Sequence, residues 1–226
     1  MTLTDFFKLY TPMTRSLKNL ILEYEQNLPA EKFNDLLKFV ANIIENTKEN
    51  LENLPEGRIR AETFHQWVDA EVERASHTPV SCKKGCATCC HYEVEITGEE
   101  ALLLADLVQQ GHKIDSARLQ DQARRSRQDS TWKLGTFLEN RCVFLGEDQA
   151  CTIYSFRPTT CRRMAVTTPA EHCADFSKTP AVRELPQVDI MLSAMMANKK
   201  TKYGSLAKML IAELKTRNCK GQMQWP

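Results

Sequence analysis

At 226 residues the chain is long enough for one sizeable core, or for one domain with a helical appendage. Lys+Arg 30 against Asp+Glu 29 leaves a formal net charge of +1, so no overall field draws in nucleic acid or an anionic membrane. With 42% hydrophobic and 26% charged residues the composition excludes a disordered chain, and 8 Gly with 9 Pro argue against a turn-rich all-β protein or a glycine-rich nucleotide fold.

The N-terminus has no basic segment followed by an apolar run, since Asp5, Lys8 and Arg15 interrupt it; a cytoplasmic protein is expected. Residues 1–77 carry only helical signals. Phe6, Tyr10, Met13, Leu17, Leu20, Tyr24 and Leu28 recur at spacings of three and four, with Pro12 separating the first turn. A second helix places Phe33, Leu36, Leu37, Val40, Ile43, Ile44 and Leu51 on one face. A third carries Phe64, Trp67, Val68 and Val72 and stops before Thr78-Pro79. Short linkers predict an antiparallel pair over 6–54 that packs against the third helix, and a protein partner could dock on this unit.

From 78 to 178 the character changes, and eight of the nine cysteines lie here. His91-Tyr92-Glu93-Val94-Glu95-Ile96 alternates as a short strand would. Thr97-Gly98-Glu99-Glu100 reads as a capping box for a helix that Gly111 closes. Its apolar run is far too short to span a bilayer. A polar helix is predicted from Asp115 to about Arg127, and Arg124, Arg125 and Arg127 with Lys133 read as a solvated face, so nucleic-acid binding is not expected. Residues 179–226 return to helix. There Val188, Met191, Leu192, Met195 and Met196, then Leu206, Met209, Leu210 and Leu214, form faces in which methionine fills a core. The fold class expected is mainly α: an N-terminal helical region, a loop-rich cysteine-cluster metal-binding domain over 78–178, and C-terminal helices.

Cys82-Lys83-Lys84-Gly85-Cys86-Ala87-Thr88-Cys89-Cys90 sets four thiols within nine residues. In a reducing compartment such clustering points to metal or redox chemistry rather than disulfides, and nine cysteines cannot all pair. Tight loops turn thiolates to one point at little closure entropy, and Gly85 supplies the backbone freedom for the turn. Cys142, Cys151, Cys161 and Cys173 follow at wider spacings that suit loops folding back over this knot. Eight thiols suffice for two tetrahedral zincs, or for an iron–sulfur cluster with a second site. The spacing favours Cys82, Cys86 and Cys89 with Cys161 around a 4Fe–4S cluster or zinc, and Cys90, which should point away from Cys89, with Cys142, Cys151 and Cys173. His91 and His172 are reserve ligands, and Cys219 is a plain thiol. The x3/x2 spacing also matches radical S-adenosylmethionine enzymes, but Thr88 stands where their aromatic residue does, and no βα alternation follows.

A second stretch runs Arg141-Cys142-Val143-Phe144-Leu145, then Cys151-Thr152-Ile153-Tyr154-Ser155-Phe156-Arg157-Pro158-Thr159-Thr160-Cys161-Arg162. With the knot, it resembles the putative zinc- or iron-chelating domain family, the CxxCxxCC (YkgJ-like) cysteine-cluster proteins, across roughly 82–173. The resemblance implies metal binding. It extends distantly to flagellin lysine N-methylases, which would imply methyl transfer on a protein side chain, although the chain carries no glycine-rich methyl-donor loop. Arg157 and Arg162 can offset thiolate charge or grip an anionic cofactor group. Pro158 sets the turn that brings Cys161 inward, and Tyr154 reads as packing. The leading expectation is a metal-binding cysteine-cluster protein; a cluster-dependent redox or methyl-transfer enzyme and a zinc-stabilised interaction module are the alternatives.

Overall fold

The computed structural model describes residues 2–125, 139–175, 177–197 and 201–219; Arg127 and Lys133 of the expected basic face, and the Cys219 side chain, lie outside them. Among the described residues there are nine α-helices and a two-stranded antiparallel sheet, the mainly helical class expected from the sequence. None of these helices is long and apolar enough to cross a membrane.

Thr2 and Thr14 cap the first two helices, α1 (Leu3–Leu9) and α2 (Arg15–Asn27), by accepting hydrogen bonds from Asp5 and Leu17 N–H groups. Pro29 precedes α3 (Ala30–Glu52), where its missing N–H costs nothing. Phe6, Tyr10, Leu17, Phe33, Leu37, Val40 and Ile44 of the apolar faces read from the sequence meet in one core, which Ile21 joins, whereas Tyr24 is exposed. The helix that completes this core comes from far along the chain. It is α8 (Pro186–Ala197), in which every residue from Val188 to Met195 is buried, as expected of a helix covered on all sides. Ile190 and Ala194 face α2 and α3, whereas Val188, Met191, Leu192 and Met195 form a second core with Leu51 and with Phe64 and Val68 of α4 (Arg58–Arg74). Met191 and Met195 are thus core filler. The third helix meets the N-terminal pair mainly at Leu51, less than expected: α4 lies chiefly on α5 (Gly98–Gln109) and α7 (Thr159–Arg163), and α8 packs against both α3 and α4.

The third core supports the cysteine-rich loops. The Thr97 capping box is present in full, and Gly111 closes α5 at φ 98°, where a side chain would be strained. Of the alternating segment before it, only Glu95–Thr97 is a strand (β1), because residues 88–91 coil into a tight 3-10 turn. β1 pairs with β2 (Tyr203–Ser205) in the register Ile96↔Gly204. Leu104, Ala105 and Leu107 of α5, Leu119 of α6 (Ser116–Arg124), and Leu206, Leu210 and Leu214 of α9 (Leu206–Cys219) enclose Val143, Phe144 and Ile153. Arg217 ties α9 to α5, donating to the Asp106 carboxylate at 2.6 Å, to Gln109 at 2.8 Å and to the Leu102 carbonyl.

Candidate metal centre

The knot is built by two tight turns. Gly85 adopts φ 85°, and Cys86 N–H donates to the Lys83 carbonyl at 2.9 Å, so the chain reverses between the first two thiols. The 3-10 turn Thr88–His91 then closes on buried Ala87, whose carbonyl accepts from Cys90 N–H at 2.9 Å. The same carbonyl lies 3.1 Å from His91 Nδ1, and the ring is buried beneath the turn; burial depresses its basicity. A third strand of chain braces the knot, with Ser81 N–H donating to the Val166 carbonyl at 2.8 Å and Val166 N–H lying 3.4 Å from Cys82 Sγ.

The other thiols arrive on separate supports. Cys142 and Cys151 stand on the two arms of a hairpin closed by the Leu145–Cys151 bridge and by Thr152 N–H to the Phe144 carbonyl. Arg141 staples its turn by donating to the carbonyls of Leu145 and Gly146. Cys142 N–H donates to the Cys90 carbonyl at 2.8 Å, which seats this hairpin on the knot. Pro158 sets the turn into α7, and its carbonyl accepts from Cys161 N–H at 2.9 Å. Cys173 ends a 3-10 turn, Ala170–Cys173, that also holds His172, and its carbonyl accepts from the Tyr92 hydroxyl beside the knot.

The thiols sort into two groups that meet at the Cys89–Cys90 pair. Burial pushes Cys161 well up, and the charges it feels next are Cys142, Cys89 and Cys151. Cys142 is raised to about 11 by burial, with Cys151 nearby. Cys173, also raised by burial, instead feels Cys82, Cys86 and Cys89. Cys90 was expected to point away from Cys89, yet the 3-10 turn brings the two thiols within hydrogen-bonding reach. The Cys90 hydrogen bond lowers Cys89 to about 7, helped by the Arg157 charge, and the same bond raises Cys90. The grouping read from spacing set Cys161 with Cys82, Cys86 and Cys89; in the fold Cys161 has Cys142 and Cys151 as well as Cys89 near it, and Cys173 has Cys82, Cys86 and Cys89.

Arg157 and Arg162 separate in role. The Arg157 guanidinium stacks 4.1 Å from the centre of the Tyr154 ring, which is 62% exposed rather than packed inside. Its charge reaches Cys89 and Cys151, and its buried Nε–H has no partner among the described residues. Arg162 is buried and fully engaged: it donates to the carbonyls of Arg157 and Ser155 and to the Asp69 carboxylate of α4.

Two residues that the sequence did not present as part of the site stand behind Cys161. Glu100 Oε1 accepts from Thr159 N–H at 2.7 Å and lies 3.0 Å from His65 Nε2 of α4. Burial alone would raise this carboxyl, but hydrogen bonds from His65 and from the Thr159 and Thr97 N–H groups overcome it and hold Glu100 below the usual range. Glu100 is visible in the sequence only as a capping residue, and His65 as a lone histidine on a helix.

The donor chemistry fits a thiophilic metal: eight thiols gathered on braced loops, with an unpartnered guanidinium N–H beside them. Among the described residues no three His, Cys, Asp or Glu side chains already form a ready coordination shell, so ligation would have to draw each group together. Residues 81–188 match the model of a family described as CxxCxxCC, Putative zinc- or iron-chelating domain. No curated protein and no solved structure matches the chain.

Proposed function

Since residues 81–188 belong to the zinc- or iron-chelating CxxCxxCC family, we propose that the eight central thiols of this metal-binding protein form two adjoining sites. One comprises Cys82, Cys86, Cys89 and Cys173, the other Cys90, Cys142, Cys151 and Cys161. The observation that carries this reading is which thiols adjoin which: Cys142 N–H bonds the Cys90 carbonyl, Cys161 has Cys142 and Cys151 near it, and Cys173 has Cys82 and Cys86, with Cys89 adjoining both groups. The first site, with Cys82 and Cys89 exposed, has the x3/x2 spacing that suits the separated corners of a 4Fe–4S cluster, and the second, whose four thiols are all half-buried, suits zinc. Such a centre would supply a cross-link between loops and, if it is a cluster, a one-electron store. The chain's own part is to bring the thiolates together, offset their charge with Arg157, and release their protons on loading.

Metal analysis and absorption spectra of anaerobically purified protein test this. Cys82→Ser, Cys86→Ser and Cys173→Ser should each deplete one centre, and Cys142→Ser, Cys151→Ser and Cys161→Ser the other, while Cys219→Ser keeps full metal content. If Cys161→Ser and Cys82→Ser empty the same centre, the division is wrong.

A second reading, a cluster-dependent enzyme, is favoured by one feature. Exposed Cys89 lies within reach of Arg157, which rests on exposed Tyr154, so an anionic substrate group could approach the metal at this rim. Substrate-free and substrate-loaded spectra that differ would support it.

A further inference from the structure

Helix α4 lies outside the matched segment, yet it reaches the Cys161 turn at two points. One is direct: Asp69 accepts from Arg162, the residue after Cys161. The other runs through α5. His65, 3% exposed, and Glu100, 2% exposed, meet at 3.0 Å, and the same Glu100 oxygen accepts from Thr159 N–H two residues before Cys161. The second carboxylate oxygen is fixed by Thr97 N–H at 2.9 Å, so Glu100 cannot turn. With the carboxylate ionised, His65 Nε2 carries the proton and donates. Thr160 Oγ1 adds a hydrogen bond to the Glu95 carbonyl at 2.9 Å. The single turn that presents Cys161 is thereby clamped on both sides by groups that stand outside the cysteine loops.

A staple that merely joined α4 to α5 would need none of this. One already exists: Arg60 of α4 donates to Glu99 at 3.2 Å and to the Leu54 carbonyl at 2.7 Å, partners outside the Cys161 turn. The Glu100 oxygen differs in aiming its third link at the backbone of a thiol-bearing turn. Groups that orient a metal ligand in this way typically change metal affinity about 10–100-fold when removed.

We infer that His65 and Glu100 are positioning residues of the Cys161 thiolate site, which makes α4 part of that site's frame. The inference rests on the metal reading given above, and its test is arranged so that the two can fail separately. The full-length variants Glu100→Gln, His65→Ala, His65→Gln and Arg60→Met are compared by two measurements. The first is the rate at which a chelator strips each centre. The second is the alkylation rate of Cys161, against Cys82, in metal-free protein by mass spectrometry. Glu100→Gln and His65→Ala should speed metal loss from one centre about tenfold and raise Cys161 alkylation alone. His65→Gln, whose amide N–H can replace the imidazole donor, should restore most of both, and Arg60→Met should change neither beyond twofold. Equal acceleration in Arg60→Met, or wild-type rates in Glu100→Gln, would overturn the inference. If Glu100→Gln does not fold, the His65→Ala and His65→Gln pair decides it. Protein that takes up no metal would sink the metal reading, and Cys161 alkylation would then decide the inference by itself.

Discussion

Stripping the metal with a strong chelator under reducing conditions should release the knot, residues 82–90, and the 166–173 segment, while α1–α3 keep their helices. Within the knot only Ala87 is buried, with His91 just beyond it, and both Cys82 and Cys89 are exposed. What holds it without metal is a handful of backbone hydrogen bonds, each worth about 1 kcal/mol net. Metal ligation by thiolates contributes on the order of 10 kcal/mol or more in small sites, comparable with the whole stability of a domain. The hairpin should respond less than spacing alone suggests, because Val143, Phe144, Leu145 and Ile153 are buried beneath it. Trypsin is a direct probe, since Lys83 and Lys84 are exposed in the knot. Rapid cleavage there after chelation, with amide exchange unchanged in α2 and α3, is the expected result. Equal resistance with and without metal would show that the knot does not depend on it.

Leu37→Asp should unfold the N-terminal half at moderate temperature. Leu37 is fully buried among Phe6, Leu17, Phe33, Val40 and Ile190, a core of apolar and aromatic side chains among the described residues. Loss of the leucine together with an unpaired buried charge should cost about 4 kcal/mol or more, which for a chain this size lowers the melting temperature by roughly 10 °C or more. Phe39→Asp provides the contrast two residues away. Phe39 is 61% exposed, so that change should stay within about 0.5 kcal/mol of wild type. A wild-type melting temperature for Leu37→Asp would mean that the face is open.

The helices were legible because their apolar residues repeat at the helical period: Phe6, Leu17, Leu37, Val40 and Ile44 are buried as their spacing requires, although Tyr24, read on the same face as Leu17, is exposed and Ile21 is the residue buried there. The Thr97 capping box was equally plain. Which helix would cover which was not. α8 shows a face of Val188, Met191, Leu192, Met195 and Met196 in the sequence, but the whole run Val188–Met195 is buried, so that face alone did not tell that the helix inserts against both α3 and α4. In the site, the cysteines themselves were legible, and so was the Pro158 turn. Which thiols lie beside which was not, since spacing along the chain does not say where the Pro158 turn and the Ala170–Cys173 turn come to rest. His65 and Glu100 were hidden for a related reason: each has an ordinary local role, and their joint role exists only where α4, α5 and α7 meet.

The pairing of β1 with β2 has a practical consequence for anyone cutting this protein at its family boundaries. A fragment covering 81–188 would keep every one of the eight clustered thiols but lose β2 and α9. Ile96 would become an unpaired sheet edge, and Leu104, Leu107, Leu119 and Phe144 would lose the lid formed by Leu206, Leu210 and Leu214. The same cut takes away residues 1–80 and would strand Glu99, Glu100 and Arg162 without Arg60, His65 and Asp69. Such a piece would be sticky and poorly folded whatever metal it was given, and its failure would say nothing about the chemistry of the thiols.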